Sequence, residues 1–300
     1  MDRLLEEPGS VADLARFGLP SKDPLIGWLG QAGFLIRRGP LQLVIDPYLS
    51  DSLATKYRGT RYPHTRLMRP PIAPEQLTEV QVVLCTHAHT DHMDPETLPR
   101  IAAASPECLF VAPRAVAAVA LQRGVPAAQL VTIDAGELVA FADNLAVRAV
   151  PAAHEQLETD AAGCHKFLGY LLHLGDRVVY HSGDCVPYPG LCEQLAQAEV
   201  DLALLPVNGR DAERRANGVP GNFTWEEAVE LCLRCHIPAM LACHFGMFDF
   251  NTVAADWLDE RIAQLPSSLQ CVRPREGVLY RLLPKSPAAE AGHEVRRTTA

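Results

Sequence analysis

Between residues 87 and 92 the chain reads His87-Ala88-His89-Thr90-Asp91-His92. Four potential metal ligands fall within six residues, directly after the apolar run Gln81-Val82-Val83-Leu84-Cys85. On a loop that leaves a strand, side chains so spaced can converge on one point. Neutral imidazole nitrogens and a carboxylate oxygen suit zinc, manganese or iron(II). The bland alternative is a chance His-rich turn, which is a poor match for a chain with 11 histidines in 300 residues.

Three more residues extend the set. His154 follows an apolar strand pattern at 145–150. Asp184 closes His181-Ser182-Gly183-Asp184 after a pattern at 177–181. His244 ends the run Met240-Leu241-Ala242-Cys243. Singly, each has an ordinary reading: a loop histidine, a turn aspartate, a satisfied core histidine. Together they place ligands just past strand ends, where open α/β architectures bind them.

The elements that must position these residues alternate along the chain. Strands are expected at 25–29, 34–36 and 41–46, the last two joined as a hairpin through Arg38-Gly39-Pro40. The first 24 or so residues, punctuated by Pro and Gly, are expected to wrap the surface. Residues 50–75 show no period and predict a long loop, of the kind that is functional or mobile. After the strand at 81–85 come a helix at 95–104, a strand at 109–112 and a helix at 114–124. Strands follow at 129–133, 137–141 and 145–150. A hairpin pairs 168–174 with 177–181, and a helix covers 189–197. A buried strand spans 202–205. Thr224-Trp225-Glu226-Glu227 is a capping box that opens a helix to Cys235. The last elements are a strand at 240–243, a helix at 252–264 and a strand at 278–282. No linker or internal repeat divides the chain. One domain over 1–284 is expected, with a disordered tail at 285–300.

Bulk properties exclude some functions. Hydrophobic residues make up 48% of the chain and charged residues 21%, which is ordinary for a globular protein. The net charge of −9 argues against a broad nucleic-acid surface. No apolar run reaches the length of a membrane span. The N-terminus lacks the pattern of a signal peptide, so a cytoplasmic protein with nine reduced cysteines is expected. Cys232-Leu233-Arg234-Cys235-His236 has the form of a haem-attachment motif, but it falls inside a predicted amphipathic helix and is read as packing.

HxHxDH followed by His, Asp and His on successive strand ends resembles the metallo-β-lactamase superfamily over about residues 25–283. The resemblance implies an α+β fold, the four-layer αββα sandwich, with a metal site at one edge of the paired sheets. It implies that His87, His89 and His154 hold one metal, that Asp91, His92 and His244 hold a second, and that Asp184 bridges them. A one-metal site stays open. Metals so placed bring water toward a pKa of about 7 for attack on a carbonyl or phosphorus, with Asp91 placed to accept or pass a proton as the catalytic group. Trp28-Leu29-Gly30-Gln31-Ala32-Gly33-Phe34, Leu205-Pro206-Val207-Asn208-Gly209-Arg210, Gly221–Ala228 and His244-Phe245-Gly246-Met247-Phe248 resemble the L-ascorbate-6-phosphate lactonase-like branch.

The expected activity is hydrolysis of a small anionic substrate, first a sugar-phosphate lactone such as L-ascorbate 6-phosphate. Phosphodiester hydrolysis and a non-catalytic metal-binding regulator are the alternatives. One or two divalent ions, zinc or manganese, are expected as cofactor. Arg210 with Asn208 is the candidate for an anionic substrate group, since Arg offers a fork of donors. Lys166 and His165 are lesser candidates. Asp249 and Asn251 are expected near the pocket, and Asp46 as a supporting carboxylate. No nucleic-acid or membrane partner is expected, and a homo-oligomer is left open.

Overall fold

Strand β2 (Leu25–Gly30) is buried along its whole length. Its alternate side chains serve two cores. Ile26 and Trp28 face one cluster, while Leu25 and Leu29 face another. The same alternation recurs in β3 (Gly33–Arg38), where Phe34 and Ile36 oppose Leu35. Strands apolar on both faces must be covered on both faces. Each fully buried side chain of this size contributes roughly 1.5–3 kcal/mol.

The computed structural model describes residues 2–17, 22–142 and 144–284; the tail expected at 285–300 lies outside them. One sheet runs β1 (Leu4–Pro8), β15 (Val278–Leu282), β2, β3, β4 (Leu41–Ile45), β5 (Val82–Leu84), β6 (Leu109–Pro113), β7 (Leu130–Ile133). The other runs β14 (Gln270–Val272), β13 (Ala239–Cys243), β12 (Leu202–Pro206), β11 (Arg177–His181), β10 (Leu168–Leu174), β9 (Leu145–Pro151), β8 (Leu138–Ala142). Between them lies the larger core, with Phe34, Ile36, Tyr170, Leu172 and Leu204. The helices α1 (Val11–Phe17), α3 (Leu98–Ala104) and α4 (Ala117–Gln122) cover the first sheet. The helices α5 (Leu191–Ala198) and α7 (Trp225–Arg234) bury Leu191, Leu195, Trp225 and Leu231 against the second. The result is the expected αββα sandwich.

Several expectations need correction. The first 24 residues do more than wrap the surface: β1 pairs antiparallel with β15, Leu4 opposite Leu282. Leu4 enters the core, and Arg281 donates to Glu7 at 2.5 and 2.8 Å. Residues 50–75 are not wholly loop, since α2 (Ser52–Lys56) forms there. The segment before β13 carries a short helix, α6 (Ala212–Ala216), with Asp211 as its cap. Of the nine cysteines expected as free thiols, Cys192 on α5 pairs with Cys235 beyond α7, Cα to Cα 5.5 Å. The Thr224–Glu227 capping box forms as expected.

Candidate metal centre

Parallel strands set the site. β4 and β5 run side by side, with Ile45 level with Leu84. β11, β12 and β13 do likewise, with His181 level with Leu204 and Pro206 with Cys243. Their carboxyl ends therefore open at one edge, and the chain leaves each through a tight turn. Asp46 and His244, the first residues beyond β4 and β13, have φ of 43° and 58°. Left-handed backbone at non-glycine residues is strained and concentrates at functional sites. Gly183 (φ 60°) lets the turn carrying Asp184 pass close to Thr86; a Cβ there would sit 2.8 Å from the Thr86 Cβ.

All seven residues singled out in the sequence meet at this edge. One donor atom from each of His87, His89, His154 and Asp184 lies within 4.8 Å of the others, and Asp91, His92 and His244 form a second such group. Asp184 stands between them. Its Oδ1 is 3.3 Å from His92 Nε2, and its Oδ2 is 3.3 Å from His244 Nε2 and 3.6 Å from His154 Nε2.

The surrounding hydrogen bonds decide which imidazole nitrogens are free. Asp46 is wholly buried and accepts from the Thr86 amide at 2.8 Å and the Thr86 hydroxyl at 2.7 Å. It also accepts from His92 Nδ1 at 2.7 Å. Thr86 Oγ1, having donated to Asp46, is left to accept from His87 Nδ1 at 3.0 Å. His154 Nδ1 donates to the Gly221 carbonyl at 3.2 Å. With Nδ1 protonated in each ring, the Nε2 lone pairs turn into the site. Among the described residues, His87 Nε2 is buried without a hydrogen-bond partner, and His92 Nε2 and Asp184 Oδ1 face only each other at 3.3 Å. Orphaned buried donors and acceptors are costly unless something satisfies them. These three, aimed into one nest of nitrogens and oxygens, fit a divalent cation.

Electrostatics agree with that fit. Burial holds the His87 pKa well below its ordinary value, with His92 and His89 adding to the effect. Burial and the neighbouring His154 draw His89 down to about 4. Burial also lowers His154. These rings are neutral at pH 7, the form that ligates. Burial alone would raise the carboxyls, but His244 and His92 outweigh it and hold Asp184 well below the usual range; His92 and His244 lower Asp91 in the same way. His92 moves the other way: burial opposes its charge, yet Asp184, Asp46 and Asp91 together raise it well above its ordinary value. A cation at its Nε2 would take the place of that proton.

Gln31 was missed in the sequence. It sits fully buried in the β2–β3 turn at φ 52°. Its Nε2 donates to Asp91 Oδ2 at 2.9 Å and lies 3.2 Å from His244 Nε2, while its carbonyl accepts the His244 amide at 2.9 Å. Its signals were its place inside the Trp28–Phe34 motif, where it was given no role, and a polar residue in a glycine-flanked turn.

A cavity of about 370 Å³ opens over the cluster, and His89, Asp91, His154, Asp184 and His244 line it. Its other walls come from the 50–75 segment (Tyr57, His64), from Phe248 and Asn251, and from the cations Lys56, Arg61 and Arg123. Asn251 is therefore at the pocket, as expected. Asn208 is one step behind it and donates to Asn251 Oδ1 at 2.7 Å. The other substrate-binding expectations need correction. Arg210 is outside the lining and gives both its terminal nitrogens to Glu227 at 2.6 Å. Lys166 pairs with Glu158 at 3.2 Å and His165 with Asp134 at 3.1 Å, both away from the cavity. Asp249 is exposed and caps the Phe250 amide at 2.8 Å.

A two-sheet sandwich with this His/Asp nest at one edge defines a metallo-hydrolase of the β-lactamase type. The Beta-lactamase superfamily domain matches residues 42–245, and the chain belongs to that family. It is similar to the UPF0173 metal-dependent hydrolase of Pyrobaculum neutrophilum, 26% identical over 185 residues, 61% of this chain and 71% of that protein. It is also similar to the N-acyl-phosphatidylethanolamine-hydrolyzing phospholipase D 1 of Caenorhabditis elegans, 23% identical over 237 residues, 75% of this chain and 64% of that one. In fold it resembles the isothiocyanate hydrolase from Delia radicum gut bacteria, with a TM-score of 0.67 at 17% identity, covering 85% of this chain and 98% of that one. The protein is a metal-dependent hydrolase of the metallo-β-lactamase superfamily. Among the described residues, no helix is long and apolar enough to cross a membrane.

Proposed function

We propose that the protein hydrolyses a small anionic ester, with a sugar-phosphate lactone such as L-ascorbate 6-phosphate as first candidate. The carrying observation is a two-part His/Asp cluster beneath a cavity that Lys56, Arg61 and Arg123 line. The motifs around Gln31, Asn208, Asn222 and His244 that resemble the lactonase-like branch support the lactone.

His87, His89 and His154 would hold one ion, Asp91, His92 and His244 a second, with Asp184 shared. Zinc and manganese both suit these N/O donors. When bound, such ions acidify water and offset charge developing on a substrate oxygen. The chain supplies the rest. Asp46 and Thr86 fix the tautomers and orientations of His87 and His92. Asp91 stays ionised in a buried site and is the group that accepts a proton and passes it on. Gln31 holds its Oδ2. Tyr57, His64 and Phe248 pack ring against ring in the cavity wall.

Phosphodiester hydrolysis is the second reading. The likeness to a phospholipase D favours it, and a two-metal site serves it equally well. Incubating the metal-loaded protein with L-ascorbate 6-phosphate lactone and, separately, with bis(4-nitrophenyl) phosphate distinguishes the two. Ring opening that chelation abolishes supports the lactonase. Nitrophenol release alone supports the phosphodiesterase and removes the lactone.

A further inference from the structure

Arg210 was the sequence's anion binder, and its pairing with Glu227 leaves that role unfilled. The cavity's own cations differ in what they touch. Arg61 pairs with Glu213. Lys56 lies over the Tyr57 ring, 5.0 Å from its centroid. Arg123 is half-buried, and its recorded hydrogen bonds go to carbonyls: Nη1 donates to Met93 O at 2.7 Å and to His89 O at 3.3 Å. No carboxylate lies within ion-pair distance of it among the described residues. Burial lowers its pKa, and Asp94 and Asp91 offset that only from beyond ion-pair distance, so an anion brought into direct contact with the partly desolvated guanidinium is favoured.

The backbone explains the placement. α4 ends at Gln122, and Gly124 turns away at φ 86°. Any Cβ at Gly124 would meet Pro99 at 2.7 Å, so the turn that follows Arg123 requires glycine. Anchored by one nitrogen on the carbonyls of His89 and Met93, the guanidinium keeps Nη2 and Nε for a ligand. His89, Thr90, Asp91 and Arg123 line the same cavity.

We propose that Arg123 is the substrate's anion-binding residue, so that the hydrolase selects esters and lactones carrying a carboxylate or phosphate remote from the scissile bond. Lys56, the other cavity cation without a carboxylate partner among the described residues, adds charge at the same cavity. The proposal rests on the hydrolase reading above and deepens it by naming what fixes the substrate's far end. A planar fork that takes an oxyanion through two nitrogens is what distinguishes Arg from a point charge at this position.

The test compares two esters with one leaving group and one chain length: 4-nitrophenyl hexanoate, which is neutral, and the 4-nitrophenyl monoester of adipic acid, whose carboxylate is too far along the chain to attack its own ester readily. The metal-loaded protein is expected to favour the adipyl ester in kcat/KM, mainly through KM. Arg123→Gln should reduce that preference roughly tenfold to a hundredfold, the worth of one charge-assisted contact. Arg123→Lys should recover part of it. Repeating the comparison with a terminal phosphonate ranks phosphate against carboxylate as the anion. Metal content is measured on each variant. A preference that survives Arg123→Gln would overturn the proposal while leaving the hydrolase in place. Loss of metal in both variants would make Arg123 a support of the ligand loop and overturn it too. No turnover of either ester would count against the ester-hydrolase reading itself and remove the proposal with it.

Discussion

His92 Nδ1 donates to Asp46 Oδ2 at 2.7 Å inside a fully buried pair. The same carboxylate takes both donors of Thr86, and Thr86 in turn accepts from His87. One aspartate therefore orients a histidine in each half of the cluster. Asp46→Ala is expected to weaken metal binding at both positions by about tenfold to a hundredfold. Titration of the metal-free protein with zinc, followed calorimetrically, checks this. Wild-type affinity in the variant would remove Asp46 from the role.

Gln31 donates to Asp91 and also lies against the His244 ring. Its amide hydrogen bond favours the ionised carboxylate, so its loss should raise the pKa of Asp91. Gln31→Leu should lower kcat/KM roughly tenfold or more and shift the acid limb of the rate profile to higher pH. An unmoved limb with reduced rate would make Gln31 a packing residue only.

Arg210 and Glu227 tie the Asn208–Arg210 turn to the first turn of α7, where Glu227 is also part of the capping box. Arg210→Ala should cost about 1 kcal/mol of stability, at the upper end for a partly exposed pair. Preference between anionic and neutral substrates should not change. Urea denaturation reads the first and substrate pairs read the second.

Acidification should destabilise the metal-free protein. His89 titrates near 4 in the fold and near the ordinary 6.5 unfolded, so between those values the unfolded chain binds the extra proton. Stability from this group is complete above about pH 6.5 and is lost as pH falls toward 4. His87 and His154, also lowered, act in the same direction. His92 is raised, so its contribution begins to fall above about pH 6.5 and is gone once pH passes its raised value; that of Asp184 is lost only below the ordinary carboxylate range. Both lie outside the window. Denaturation of the metal-free protein at pH 5 and pH 6.5 should show lower stability at pH 5; equal stability would contradict neutral, buried histidines.

The metal cluster was legible because its chemistry is local: four ligands in one loop, and three more just past strands whose apolar runs are easy to see. The same strands indicated mixed sheets with covering helices, and the resemblance to the metallo-β-lactamase superfamily implied the αββα sandwich. What escaped depends on contacts between distant segments. Gln31 gains its role only when the β2–β3 turn meets the end of β13, more than two hundred residues later. β1 is a strand because β15 is there to pair with it. Arg210 looked like an anion binder because its partner Glu227 was already assigned to a helix cap. Arg123 looked like an ordinary residue before a C-terminal glycine, and only folding brings it beside His89.

The account stands or falls on whether these seven side chains bind metal. Metal content per chain should be measured by mass spectrometry on protein purified without an affinity metal, before and after incubation with zinc or manganese, alongside His87→Ala and His244→Ala. About two ions per wild-type chain are predicted, with each variant losing at least one. No bound metal in the wild-type protein, even after incubation, would contradict the central claim.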